Sequence, residues 1–198
     1  MTFHKFIRDG EGWETLKMEK RFANPYLQVF AAQVRTPARP DGCAWTVVHR
    51  KGATVVAPMT GDGKFILVRQ ERVPIHAALW EFPAGQIDEI TEHDEKTIHK
   101  TALRELQEET GYELSPDGKL TPLGIFFSSA GFTDEHSHLF LASPVLPSKQ
   151  GHAHDENEAI TGCHAFSVEE LRGMVASHEI RDANTLSAYA RMCAMGIL

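Results

Sequence analysis

A chain of 198 residues, 42% apolar and 24% charged, is the size of one globular domain with a substantial core and room for a small appendage. A net charge of −7 with no basic run argues against a nucleic-acid backbone as partner, and no apolar run approaches the roughly 18 residues needed to cross a membrane. Lys5, Arg8, Asp9 and Glu11 leave no apolar core for a signal peptide, and the scattered Cys43, Cys163 and Cys193 read as reduced thiols of a cytoplasmic protein, not as a disulfide framework or a zinc site.

Along the chain, residues 13–35 alternate apolar and polar around Asn24-Pro25, which predicts two strands joined by a turn. A second turn is expected over Pro37–Gly42, then a strand over Ala44–His49, so residues 1–50 read as a small antiparallel β-region separate from a main domain over 51–198. Thr54–Pro58 and Phe65–Val68 flank Gly61-Asp62-Gly63, a hairpin signal. Trp80-Glu81-Phe82-Pro83-Ala84-Gly85 reads as an apolar strand breaking into a glycine turn, and Glu95–Thr110 as a helix. Leu123–Phe127, His138–Ala142 and Cys163–Phe166 are expected strands. Ser167-Val168-Glu169-Glu170 is a capping box opening a helix to about Ser177. Asp182-Ala183-Asn184-Thr185 starts a last amphipathic helix with Leu186, Ala190 and either Met192 or Cys193 facing inward. Strands interleaved with helices around a mixed sheet predict a layered α/β sandwich.

The chemistry concentrates in Arg104-Glu105-Leu106-Gln107-Glu108-Glu109-Thr110-Gly111-Tyr112. Residues three and four apart share a helix face, so Glu105, Glu108 and Glu109 form a carboxylate cluster that Arg104, four before Glu108, can brace. Mutual repulsion among three carboxylates calls for a cation, and hard divalent ions such as Mg²⁺ or Mn²⁺ prefer such oxygen ligands. Gly111 fits a left-handed C-terminal cap. The pairs His136-x-His138 and His152-x-His154 have no third ligand at zinc spacing and read as ordinary histidines, a minor role in substrate contact being the alternative for His152 and His154.

Gly85 and the run Arg104–Gly111 resemble the signature of the Nudix hydrolase family, a glycine, a lone glutamate and Arg-Glu-apolar-x-Glu-Glu-x-Gly in a loop–helix–loop. The second half matches throughout. The first is stretched, since the family places fourteen positions between glycine and arginine where Gly85 and Arg104 differ by nineteen, so five extra residues fall within Gln86–Lys100. Glu89, Glu92 and Glu95 all remain candidates for the lone, bracing glutamate. Val68–Arg72, Glu81–Gly85, Gly131–Glu135, Asp155–Glu158 and Ile180–Thr185 extend the resemblance to the ADP-ribose pyrophosphatase branch over nearly the whole chain.

That resemblance implies a Nudix-type α/β/α sandwich, metal-dependent hydrolysis of ADP-ribose, and a homodimer built on exchanged N-terminal strands. It implies metal ligation by Glu105, Glu108, Glu109 and the carbonyl of Ala84, with Glu158 added when substrate closes the loop. Glu156 is implied as general base, Glu108 and Arg104 as further catalytic groups, and Arg72, Glu81 and Ala84 as substrate contacts. ADP-ribose enzymes of the branch carry a proline some fifteen residues beyond the box, whereas this loop reads Phe127-Ser128-Ser129-Ala130-Gly131. Other nucleoside diphosphate sugars, GDP-mannose among them, therefore stand as alternative substrates. A non-catalytic nucleotide sensor is the alternative of a different class, though such regulators append a DNA-binding motif that this acidic sequence does not show.

Overall fold

The computed structural model describes residues 10–87, 94–152 and 159–198. Strands β1 (Glu14–Ala23), β2 (Leu27–Thr36) and β3 (Arg39–Arg50) form an antiparallel sheet of their own in that order. The turn between β1 and β2 is built by Asn24, whose Oδ1 accepts the amides of Tyr26 at 2.9 Å and Leu27 at 2.8 Å. The next turn is shorter than the sequence suggests. Strand β3 already begins at Arg39, and an irregularity in its pairing with β2 absorbs Pro40–Gly42, Gly42 taking φ +94°.

The larger sheet contains β4 (Ala53–Thr60), β5 (Phe65–Arg72), β6 (Ala77–Glu81), β7 (Ala84–Gln86), β8 (Tyr112–Phe127), β9 (His136–Pro147) and β10 (Ile160–Phe166). Its order is β10-β5-β4-β9-β8, with β6 paired to β5 and β7 to β4. Strands β4 and β9 run parallel and the other pairs antiparallel. Helix α1 (Glu95–Thr110) covers one face, α2 (Val168–Ala176) and α3 (Ala183–Ala194) the other.

Strand alternation explains the three layers, because successive side chains leave opposite faces of a sheet. Val56, Ile66, Phe140 and Ala142 pack with Ile98, Ala102 and Leu106 of α1. Their neighbours Val55, Ala57, Phe65, Leu67, Leu139 and Leu141 pack with Leu171, Met174, Ala188 and Met192 of α2 and α3. No described helix is long and apolar enough to cross a membrane.

Three further local readings change. Strand β8 runs from Tyr112, not Leu123, because a break in its register with β9 between Leu114 and Lys119 carries the turn-like Ser115-Pro116-Asp117-Gly118 without ending the strand. The buried face of α3 is Thr185, Ala188 and Met192, spaced three and four apart; Leu186 is half-buried, and Ala190 and Cys193 are exposed. Gly85 lies inside β7 instead of in a turn, for a steric reason given below.

The two sheets meet where β3 leads into β4. Val48 bridges to Thr133, Trp45 donates its indole N–H to the Gly131 carbonyl at 2.8 Å, and His49 pairs with the buried Asp134 at 2.5 Å. Arg50 adds an ion pair to Glu135 at 2.5 Å. The Phe127–Gly131 loop is thereby held without a proline, with Ser128 Oγ also donating to Glu135 at 2.7 Å.

Candidate active site

Helix α1 starts where predicted because Asp94 caps it, accepting the Thr97 amide at 2.6 Å, and it stops at Gly111, which takes φ +71°. With Ile98, Ala102 and Leu106 committed to the core, the helix turns Glu105 and Glu109 toward β7. Both are almost wholly buried, at 3% and 1% exposure. Buried carboxylates are costly unless bonded or paired, so their partners define the site.

Glu109 Oε2 accepts the backbone amide of Ala84 at 3.1 Å. Glu105 lies directly on Gly85, where an added Cβ would stand 1.9 Å from its carboxyl carbon. Gly85 is thus required by close approach, not by a special backbone angle. The same contacts hold β7 and α1 together despite the long connection between them. Arg104 spans Glu105 at 2.5 Å and Glu108 at 2.6 Å, the bracing its spacing suggested. Glu108 is consequently drawn toward Arg104, and among the described residues no three His, Cys, Asp or Glu side chains converge on one point.

Arg72, at the end of β5, grips Glu81 at the end of β6 side-on, Nε to Oε1 at 2.9 Å and Nη2 to Oε2. Burial pushes the Glu81 carboxyl above its ordinary range, against the pull of the Arg72 fork, while that same bond raises the Arg72 guanidinium. Glu109 and Asp182 also bear electrostatically on Arg72, so the pair adjoins the α1 carboxylates. Five carboxylates (Glu81, Glu105, Glu108, Glu109, Asp182) and two guanidiniums make this the acidic centre of the fold. Its hard oxygen donors, three of them buried, fit a hard divalent cation.

Of the remaining expected residues, Glu95 opens α1 in an exposed position facing His99 at 3.9 Å. Ten residues of helix put it about 15 Å from Glu105, too far to brace that cluster. Glu89, Glu92, His154, Glu156 and Glu158 lie outside the described residues. His136 is buried and His138 half-buried at the start of β9, their rings 5.6 Å apart, with His136 Nδ1 3.1 Å from the Asp134 carbonyl. In the sequence, Asp182–Thr185 starts a helix and belongs to a motif of the family resemblance, with no site role attached. In the fold, the Thr185 hydroxyl accepts the buried Phe82 amide at 2.9 Å, two residues before Ala84. A separation of 103 residues leaves no local signal for that bond.

The NUDIX domain matches residues 48–189. The chain is 33% identical over 177 residues to an ADP-ribose pyrophosphatase of Bacillus subtilis (strain 168), covering 89% of each. It is 30% identical over 177 residues to a methanol dehydrogenase activator of Bacillus methanolicus, covering 88% of this chain and 89% of that one. A crystal structure described as an ADP compounds hydrolase superposes with a TM-score of 0.72 at 18% identity, covering 94% of this chain and 97% of the other, which speaks to the fold.

Proposed function

The chain belongs to the NUDIX family and is a Nudix hydrolase, and from that premise we propose that it hydrolyses the diphosphate bond of ADP-ribose to AMP and ribose 5-phosphate. The observation that carries the reading is the buried pair Glu105 and Glu109 pressed against Ala84–Gly85, a carboxylate grip that a pure nucleotide binder has no use for. The ADP-ribose pyrophosphatase of B. subtilis, alike over most of both chains, supports the substrate class.

Glu105, Glu108, Glu109 and the Ala84 carbonyl would hold Mg²⁺ or Mn²⁺, with Glu158 as an added ligand. Such an ion supplies charge neutralisation on the diphosphate and acidifies a water. The chain's own work is to orient and to move a proton. A water oxygen attacks one phosphorus, the bridging P–O bond breaks, and the water's proton passes to Glu156. Arg104 holds Glu105 and Glu108 in place. Arg72 spends Nε and Nη2 on Glu81, which leaves its Nη1 edge for a phosphate or ribose oxygen. Glu81 then serves the substrate by fixing that fork.

We also assign a homodimer to the N-terminal sheet. Strand β1 is exposed along nearly its whole length, and Trp13, Leu16, Phe22, Tyr26 and Trp45 stand out as large exposed apolar groups in or beside that sheet. The three cysteines are free, in keeping with a reducing cytoplasm. The test of function is a panel of ADP-ribose, GDP-mannose, NADH and diadenosine polyphosphates assayed with Mg²⁺ and Mn²⁺. Cleavage led by ADP-ribose is expected. Preference for GDP-mannose would reassign the substrate, and turnover of none would favour a sensor.

A further inference from the structure

Three consecutive residues ahead of the carboxylate grip are each pinned by a different element. Phe82 gives its amide to Thr185 of α3 at 2.9 Å, Pro83 accepts the Val56 amide of β4 at 2.9 Å, and Ala84 gives its amide to Glu109 of α1 at 3.1 Å. Two of these anchors sit on the β4 strand and the α1 carboxylate. The third is a single hydroxyl. Thr185 is wholly buried, and its Oγ1 is oriented by donating to Asp182 Oδ2 at 2.8 Å, the same oxygen that caps α3 by accepting the Thr185 amide at 2.8 Å. With its proton committed to Asp182, the hydroxyl presents a lone pair to Phe82. Asp182 also acts electrostatically on Arg72 and on Glu81, the residue immediately before this segment.

We propose that Asp182 and Thr185 are positioning residues, which set the Phe82–Ala84 backbone so that Ala84 and Gly85 meet Glu109 and Glu105 in register. The proposal rests on the reading of that corner as the working end of the hydrolase site. It gives the Ile180–Thr185 motif a purpose beyond opening a helix: the N-terminus of α3 is the rear support of a site on the opposite layer.

The test compares Thr185→Val, which keeps the shape and removes the hydroxyl, with Thr185→Ser, which keeps the hydroxyl. Amide hydrogen exchange at Ala84, an amide Thr185 does not touch, is read in the full-length protein without added metal, alongside kcat and KM for ADP-ribose with Mg²⁺. Thr185→Val should speed exchange at Ala84 and lower kcat by about 10–100-fold with KM little changed, the range seen when supports behind a metal site are lost. Thr185→Ser should restore both. An unchanged Ala84 amide in Thr185→Val, or a Thr185→Ser variant as impaired as Thr185→Val, would overturn the proposal. Thr185→Ala repeats the comparison should the valine variant fail to fold. If the wild-type protein cleaves no diphosphate, the functional reading fails, and the exchange comparison still decides whether Thr185 positions Ala84.

Discussion

Position 85 shows how one missing methyl group organises a site. Any side chain there would occupy the space of the Glu105 carboxylate, so Gly85→Ala should displace either Glu105 or β7. Turnover should fall at least about tenfold, as for other losses of support behind a metal site, while circular dichroism still reports a folded sheet. Normal activity in that variant would contradict the close packing of glycine on glutamate. Glu109→Gln retains an acceptor for the Ala84 amide and loses the charge, so it should abolish most metal-dependent turnover without unfolding the protein. Direct Mn²⁺ titration checks it, with wild-type affinity as the contradicting result. Arg72→Lys keeps a positive charge but not the fork that grips Glu81, and should raise KM for a diphosphate substrate more than it lowers kcat. The residue types were legible in the sequence, whereas the reason for Gly85 was not, because its partner lies twenty positions away on another element.

Helix α1 could be read to its ends because its signals are local: a period of 3.6 and a glycine at 111, to which the structure adds the cap at Asp94. Strand β8 could not, since Pro116-Asp117-Gly118 is a turn signal at short range, and only pairing with β9 carries the strand past it. The inward face of α3 is legible only in part, at Met192 and the half-buried Leu186, for a similar reason. Thr185 is polar by composition yet wholly buried, because Asp182 and Phe82 satisfy its hydroxyl. Helix α2 offers a clean test of local chemistry. Ser167 and Glu170 form a reciprocal capping box, and those bonds hold the Glu170 carboxyl below its ordinary range. A carboxylate with a lowered folded value adds stability above its unfolded value near 4.5, and that contribution is lost as pH falls through the lowered one. Ser167→Ala should therefore lower stability near neutral pH and flatten the acid side of the stability curve. Urea unfolding at pH 7 and pH 3.5 measures both, and identical pH dependence in the two proteins would contradict the assignment.

At the scale of the molecule, α1 supplies the carboxylates from one layer, β7 presents its backbone to them, and α3 supports that backbone from the other layer. The sandwich is thus the device that brings residues 81–85, 104–109 and 182–185 together. The arrangement of strands and helices along the chain was enough to predict the layers, and the packing of alternate strand residues on two faces bears them out. The joint between sheets was beyond it, since His49, Asp134, Arg50 and Glu135 are charged groups whose pairing depends on the finished fold. The N-terminal sheet, with its exposed β1 and large apolar groups, should make the protein dimeric in solution. Sedimentation equilibrium checks this, and removal of residues 1–36 should yield a monomer; a full-length monomer would contradict the assignment. The most direct test of the whole account is product analysis of ADP-ribose incubated with Mg²⁺ and either wild-type protein or Glu109→Gln. AMP and ribose 5-phosphate from the wild type, abolished by chelation and nearly absent with the variant, is the predicted result. Equal cleavage by the two proteins, or cleavage unaffected by chelation, would contradict it.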